Sequence, residues 1–270
     1  MVYTGSAGRK SLFDCHIDDN AKATIIFVHG YKGYKDWGAW NLMEKAFIEN
    51  GFGFVKFNIS HNGGTIDEPI DFPDLEAFGN NRYSYEVNDL NIIIGEVDQL
   101  QRKELGKTLP VYLLGHSRGG GIAILQAYGD ERVSKVISLA GISDISSRFP
   151  EGDELEKWEE TNVITVLNGR TNQEMPLYYS LYLDYVVHHI DLDIEIACRG
   201  LNIPFLQIHG EADESVDISE GEAIADWTHT MLEIIDGAGH TFGAKQPWEE
   251  KEMPEHLKMA VEKSVEFFNK

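Results

Sequence analysis

The sequence of 270 residues has few cysteines, few basic residues and no long apolar run. Its two cysteines, Cys15 and Cys198, cannot build a disulfide framework in a chain of this size, so both are predicted to be free thiols. No stretch of about 20 apolar residues occurs, which excludes a predicted membrane span. Residues 1–10 lack the apolar core of a secretion signal, so a cytoplasmic location is expected.

Basic residues are scarce relative to acidic ones. Lys and Arg total 23 against 45 for Asp and Glu, which gives a formal net charge of −22. Such a chain repels phosphate backbones and anionic membranes, so neither nucleic acid nor a membrane surface is an expected partner. With 42% hydrophobic, 25% charged and 11% aromatic residues, the composition predicts a soluble globular protein. The length suits one large domain, or a domain with an insertion.

Short apolar runs alternate with amphipathic runs along most of the chain. Apolar residues recur at helical spacing over 87–100 and again over 257–268, which predicts two helices. The runs predicted to be strands are 25–28, 54–57, 111–114, 136–140, 205–208 and 231–235. This alternation predicts βαβ units, and therefore an α/β fold with a mostly parallel sheet and helices on both faces. Residues 146–200 break the rhythm and are predicted to be an insertion over one edge of the sheet.

A Gly-x-Ser-x-Gly motif places Ser117 directly after the predicted strand 111–114 and before a helix-like run. A sharp strand-to-helix turn lifts the serine hydroxyl out of the sheet, and its neighbours must be small. The following helix directs its N–H groups at the same point, where negative charge would develop. Ser117 is therefore the candidate nucleophile.

A nucleophilic serine needs a base, and the base needs an acid to orient it. His240 follows the predicted strand 231–235 in a glycine-rich loop, and Asp213 follows the predicted strand 205–208. Carboxyl ends of parallel strands are where open α/β sheets place their sites. Asp144, after the strand 136–140, is the alternative acid.

With these residues in place, the chain resembles the serine hydrolases of the α/β-hydrolase fold. The order Ser117, Asp213, His240 is the order of that family. The segments His-Gly-x-x-Asp-x-x-Val at 209–216 and Gly-x-Gly-His-x-Phe at 237–242 also resemble family signatures. The segment Ile203–Leu206, which leads into His209, is similar to the corresponding segment in one branch of the family. That branch contains cinnamoyl and feruloyl esterases, dienelactone hydrolases and prolyl oligopeptidases.

The resemblance implies a serine esterase that needs no cofactor and acts on a small-molecule carboxylic ester. It implies an oxyanion hole made by the backbone N–H groups of Tyr31 and Arg118. The Arg118 side chain is expected in a structural ion pair or, alternatively, on a substrate carboxylate. A peptidase of prolyl-oligopeptidase type and a non-catalytic binding scaffold are the alternative functions.

The resemblance also implies a core of residues 1–145 and 201–270 beneath a lid of residues 146–200. Tyr178, Tyr182 and Tyr185 have the spacing of one helical face. Because tyrosine combines an apolar ring with a polar tip, aromatic side chains of the lid suit an acyl pocket, and aromatic acyl groups of the cinnamoyl or feruloyl type are one expectation. The predicted substrate-binding residues are Phe149, Met175, Tyr178, Tyr179 and Tyr182. No metal is expected, since the adjacent His188 and His189 point to different helix faces.

Overall fold

Eight strands form one sheet in the computed structural model of this protein, which describes residues 1–270. Side by side across the sheet they are β1 (Val2–Thr4), β2 (Lys10–His16), β4 (Gly53–Phe57), β3 (Thr24–Val28), β5 (Val111–His116), β6 (Val133–Leu139), β9 (Phe205–Gly210) and β10 (Leu232–Ile235). The six strands from β4 to β10 run parallel, as predicted. β1 and β2 add antiparallel strands at one edge, which were not predicted from the sequence.

Helices cover both faces of this sheet, and others contact the insertion that follows β6. The nine helices are α1 (Trp40–Glu49), α2 (Leu75–Gly79), α3 (Tyr83–Leu105), α4 (Arg118–Tyr128), α5 (Asp153–Thr161), α6 (Ser180–His188), α7 (Ile194–Gly200), α8 (Ile218–Thr228) and α9 (Glu255–Asn269). Apolar residues of α3, α4, α7 and α8 pack into one core cluster, and those of α1 and α9 into a second. Successive residues of β3 alternate between them: Ile26 and Val28 enter the first, Ile25 and Phe27 the second.

The central strands are buried on both faces, which explains their continuous apolar sequences. Every residue of β3 and of β4 is buried. The two predicted helices are found as α3 and α9. None of the helices is both long enough and apolar enough to span a bilayer.

An insertion follows β6 and contains a two-stranded hairpin of β7 (Val163–Asn168) and β8 (Gln173–Tyr178), flanked by α5 and α6. The predicted boundary at residue 200 stays a prediction; that residue ends α7, which packs against α4 and α8. The helical face predicted for three tyrosines is wrong. Tyr178 ends β8, whereas Tyr182 and Tyr185 lie on α6.

Candidate active site

Ser117 lies at the turn between β5 and α4 in a backbone conformation that non-glycine residues rarely adopt, with φ 58° and ψ −124°. The turn is fixed by its own hydrogen bonds: Ser117 N donates to Leu139 O at 2.9 Å, and Gly120 N donates to Ser117 O at 2.9 Å. A Cβ on Gly119 would lie 2.2 Å from Val28 O, so this position must be glycine. The close packing of α4 onto β3 thus holds the hydroxyl at the end of the sheet.

His240 contacts Ser117 from the loop after β10. Its Nε2 lies 2.9 Å from Ser117 Oγ, and its Nδ1 lies 2.8 Å from Asp213 Oδ2. A carboxylate only accepts, so Nδ1 carries the proton and Nε2 is left to accept from the hydroxyl. The three side chains therefore form one continuous chain of hydrogen bonds.

Buried His116 holds the backbone of His240. Burial, followed by the proximity of His240, lowers the pKa of His116 to about 3. The neutral ring donates from Nε2 to the His240 carbonyl oxygen at 2.8 Å, and the two rings lie 4.9 Å apart. His116 is thus a packing residue that positions the histidine loop.

The side chain of Asp213 is fully buried in the loop after β9. Burial favours its neutral form, but hydrogen bonds from His209, His240 and the Val216 N–H outweigh that effect and hold its pKa far below the usual range. Its Oδ1 accepts from the N–H groups of Ser215 at 2.8 Å and Val216 at 3.0 Å. The carboxylate is therefore both charged and fixed in direction.

Asp144, the alternative acid, is turned toward its own loop. Its carboxylate accepts from Ser146 N at 2.7 Å, Ser146 Oγ at 2.9 Å and Ser147 N at 3.2 Å. These bonds make a local turn after β6. The structure brings Asp213 to His240, and not Asp144.

The loop after β3 passes directly against the serine. A Cβ on Gly30 would lie 2.9 Å from Ser117 Cβ, which leaves room only for glycine. His29 pins this loop, because its Nδ1 donates to Gly30 O at 2.9 Å and its Nε2 accepts from Ile59 N at 3.1 Å. Burial lowers the pKa of His29 to about 4, which keeps the ring in this neutral form. Tyr31 is thereby placed on the wall of the cavity around Ser117.

The Arg118 side chain is held in a largely buried ion pair. Its Nη1 donates to Glu86 Oε1 at 3.1 Å, and its guanidinium lies over the rings of Tyr31 and Tyr83 at 4.3 and 4.6 Å. Burial raises the pKa of Glu86, and the arginine opposes that effect. The guanidinium is thus anchored at one end of the site.

A cavity of about 440 Å³ opens in front of Ser117. Its 17 lining residues come from the loop after β3, the serine turn, the loops after β6, β9 and β10, and the tip of the inserted hairpin. They are Gly30, Tyr31, Lys32, Gly33, Trp37, Trp40, His116, Ser117, Arg118, Ile142, Arg148, Asn168, Arg170, Ser215, Val216, His240 and Thr241.

None of the five predicted substrate-binding residues lines this wall. Phe149, Tyr179 and Tyr182 pack around Trp158 in an aromatic cluster that joins the insertion to the core. Met175 is fully buried beside Phe72 and Phe78. Tyr178 donates to Glu76 and so fixes the hairpin against α2. Their apolar rings are used for packing.

No family model matches the sequence. Human monoglyceride lipase is 27% identical to this chain over 191 residues, a region that covers 60% of the chain and only 62% of the lipase. Among solved structures, Est1E from Butyrivibrio proteoclasticus, bound to ferulic acid, has a TM-score of 0.74 at 16% identity and covers 100% of this chain and 98% of its own. The chain has the α/β-hydrolase fold.

Mouse alpha/beta hydrolase domain-containing protein 10 shares this α/β-hydrolase fold at a TM-score of 0.66 and 16% identity, over 100% of this chain and 98% of that one. The fold predicted from the sequence is thus confirmed.

Sequence reasoning missed the wall residues Trp37, Arg148, Asn168 and Arg170. Trp37 lies close to the glycine-rich loop after β3, and an aromatic residue near that loop could have been predicted to line the cavity. The other three reach the cavity through the path of the insertion, which no local pattern encodes.

The α/β-hydrolase core leaves His188 and His189 outside the site. His188 lies 3.9 Å from carboxylate oxygens of both Asp184 and Asp191 on the insertion. The structure contains no group of three or more His, Cys, Asp or Glu side chains suited to hold a metal ion.

Proposed function

We propose that this protein is a serine hydrolase that cleaves carboxylic esters of small molecules through an acyl-enzyme. The observation that carries the proposal is the chain of hydrogen bonds from Asp213 through His240 to Ser117, at 2.8 and 2.9 Å, at the mouth of a cavity. The similarity to a human monoglyceride lipase and the fold of an esterase that binds ferulic acid support it.

Each member of the triad has one role in the proposed reaction. His240 Nε2 removes the proton of Ser117 as Oγ attacks the ester carbonyl carbon, and a tetrahedral oxyanion forms. The imidazolium then donates that proton to the departing alcohol, which leaves the acyl group on Ser117. Water attacks the acyl-enzyme by the same route and releases the carboxylic acid. Asp213 keeps the required tautomer and stabilises the imidazolium.

The oxyanion is proposed to accept from the backbone N–H groups of Tyr31 and Arg118. Arg118 begins α4, so its N–H belongs to the first turn, whose N–H groups have no partner within the helix and where negative charge is favoured. Tyr31 follows Gly30, whose Cα lies against Ser117. Removing one such donor costs about 10²–10³ in kcat in comparable enzymes.

The insertion is proposed to act as a lid through its hairpin. Asn168 and Arg170, at the turn between β7 and β8, line the cavity with Ser117. Aromatic acyl groups are proposed as one substrate class, because Trp37, Trp40 and Tyr31 supply flat apolar surface on the wall. This replaces the role first expected of the lid tyrosines.

A fluorophosphonate probe tests the chemistry directly. We expect covalent labelling of the wild-type protein and none of the Ser117→Ala variant, whose kcat for ester hydrolysis should fall about 10⁴-fold or more. A folded wild-type protein that the probe leaves unlabelled would support a non-catalytic scaffold. A panel of p-nitrophenyl esters and aminoacyl p-nitroanilides then separates an esterase from a peptidase by comparing kcat/KM.

A further inference from the structure

The wall of the cavity has the opposite charge to the rest of the molecule. Over the whole chain acidic residues outnumber basic ones, 45 to 23. Among the 17 lining residues four are basic, and none is Asp or Glu. The basic residues are Lys32, Arg118, Arg148 and Arg170. A cavity of this kind attracts anions to a protein that otherwise repels them.

The three arginines are each held by a carboxylate that lies outside the wall. Arg118 pairs with Glu86, Arg148 with Glu220, and Arg170 with Asp71. The side chains of Arg148 and Arg170 each remain 28% exposed. Because a guanidinium has five N–H donors, one carboxylate does not use them all. These pairs orient the arginines and balance their charge, and they leave donors for a ligand.

Lys32 has no such partner. It forms no ion pair in the structure, and its ammonium lies 5.4 Å from the centre of the Tyr31 ring. Burial alone lowers its pKa, and no neighbouring carboxylate opposes the effect. Its φ of 53° lies in the left-handed region, which few non-glycine residues adopt. An ammonium that is partly desolvated and unpaired is stabilised by any anion brought to it.

We propose that the ester cleaved at this site carries a carboxylate group, which Lys32 binds together with donors of Arg148 and Arg170. The proposal rests on the proposed function, since it names the substrate class of the same site. One unbalanced positive charge matches a singly charged carboxylate better than a phosphate dianion. The apolar remainder of the wall, formed by Trp37, Trp40, Ile142 and Val216, suits the hydrocarbon part of such an ester.

Pairs of esters that differ in this charge and in one methyl group test the proposal. For a charge on the acyl side, p-nitrophenyl hydrogen adipate is compared with its methyl ester, p-nitrophenyl methyl adipate. For a charge on the alcohol side, 4-carboxyphenyl hexanoate is compared with its methyl ester. We expect kcat/KM of the wild type to be about tenfold or more higher for the charged member of one pair, as for a hydrogen bond to a charged group. The pair that shows this preference identifies whether the carboxylate belongs to the acyl side or to the alcohol side of the ester.

The Lys32→Met variant removes the ammonium and keeps an unbranched, apolar side chain that is one heavy atom shorter. We expect the ratio of kcat/KM between the charged and neutral esters to fall about tenfold. Lys103→Met is the matched control, because Lys103 lies on the far end of α3 with a side chain that is 77% exposed. The ratio should stay at the wild-type value in this control.

Calorimetry with the Ser117→Ala protein measures binding without turnover. Tighter binding of p-nitrophenyl hydrogen adipate, or of 4-carboxyphenyl hexanoate, than of its methyl ester supports the proposal. Equal binding within both pairs overturns it, and so does an unchanged ratio in Lys32→Met. If the neutral esters are hydrolysed and the charged ones show no higher kcat/KM, the proposed esterase function stands and the proposal of a carboxylate-bearing substrate is wrong. If the wild type cleaves no ester and takes no fluorophosphonate, the proposed function itself fails.

Discussion

His209 Nε2 lies 2.9 Å from the carbonyl oxygen of Val216 and 3.4 Å from Asp213 Oδ2, and the side chains of His209 and Asp213 are both fully buried. The histidine thus joins the two ends of the loop that carries the acid. Val216 N in turn donates to Asp213 Oδ1 at 3.0 Å. The direction of the Asp213 carboxylate is therefore set from both sides, by one side chain and by its own loop.

This arrangement makes His209 a positioning residue, and we expect His209→Ala to lower kcat about 10- to 100-fold with little change in KM. A misplacement of about 1 Å in a catalytic group is enough for such a loss. His209→Gln retains an N–H donor of similar reach and should recover most of the activity. Steady-state kinetics on a p-nitrophenyl ester compare the two variants. Equal losses in both, or a loss confined to KM, would contradict the positioning role.

The identity of the acid is decided by comparing Asp213→Asn with Asp144→Asn. We expect the first to lower kcat about 10³- to 10⁴-fold, because the amide favours the wrong tautomer of His240. The second should change kcat little, since the Asp144 carboxylate caps its own turn. Circular dichroism and the urea midpoint check that both variants are folded. The reverse ranking of the two variants would transfer the acid role to Asp144.

The parallel strands and the candidate residues Ser117, Asp213 and His240 follow from local sequence, because buried strands need continuous apolar runs and each candidate residue lies just after such a run. Val28, His116 and Gly210 are the last residues of strands, and the site lies just beyond them. The wall of the cavity does not follow in this way. Arg170 reaches it because the hairpin is held over the site by its contacts with Asp71 and α2. Contacts so distant in sequence leave no periodic signal.

The aromatic residues of the insertion show the same limit of sequence reasoning. Their spacing and chemistry are those of a binding pocket, but the same properties serve equally well for packing. Trp158 donates to Leu177 O at 2.8 Å and collects the rings of Phe149, Tyr179 and Tyr182 around it. Only the three-dimensional path of the insertion decides between the two uses.

The buried histidines predict a loss of stability in weak acid. The folded-state pKa values of His29 and His116 are about 4 and about 3, below the value of about 6.5 expected in the unfolded chain. Between these values the unfolded state binds more protons, so the free energy of unfolding falls as pH falls. Each histidine contributes a slope of at most about 1.4 kcal/mol per pH unit. The contribution is present in full above pH about 6.5 and is lost as pH falls toward 4.

Urea denaturation between pH 7 and 4.5 measures this slope. We expect His116→Gln to lower the free energy of unfolding at pH 7. We also expect a smaller slope of that free energy against pH, by the amount that the uptake of about one proton contributes, because the amide does not titrate. Asp213 also contributes, but only at lower pH, since its pKa is depressed from a value of about 3.9. A slope in His116→Gln equal to that of the wild type would show that His116 is already protonated in the folded protein.

Variants of Trp37 and Tyr182 distinguish a residue that contacts the substrate from one that only packs the insertion. Trp37 lines the cavity, whereas Tyr182 lies in the aromatic cluster of the insertion, 5.3 Å from the ring of Phe149. We expect Trp37→Ala to raise KM for an aromatic ester such as p-nitrophenyl cinnamate several-fold more than for p-nitrophenyl acetate, because a flat acyl group loses its stacking surface. Aromatic contacts of this kind contribute about 0.5–1.5 kcal/mol beyond burial. Tyr182→Ala should leave the ratio of the two KM values unchanged and lower the free energy of unfolding by about 1–3 kcal/mol. If Tyr182→Ala changes the ratio and Trp37→Ala does not, the aromatic cluster must open to admit the acyl group, and the cavity in front of Ser117 is not its binding site.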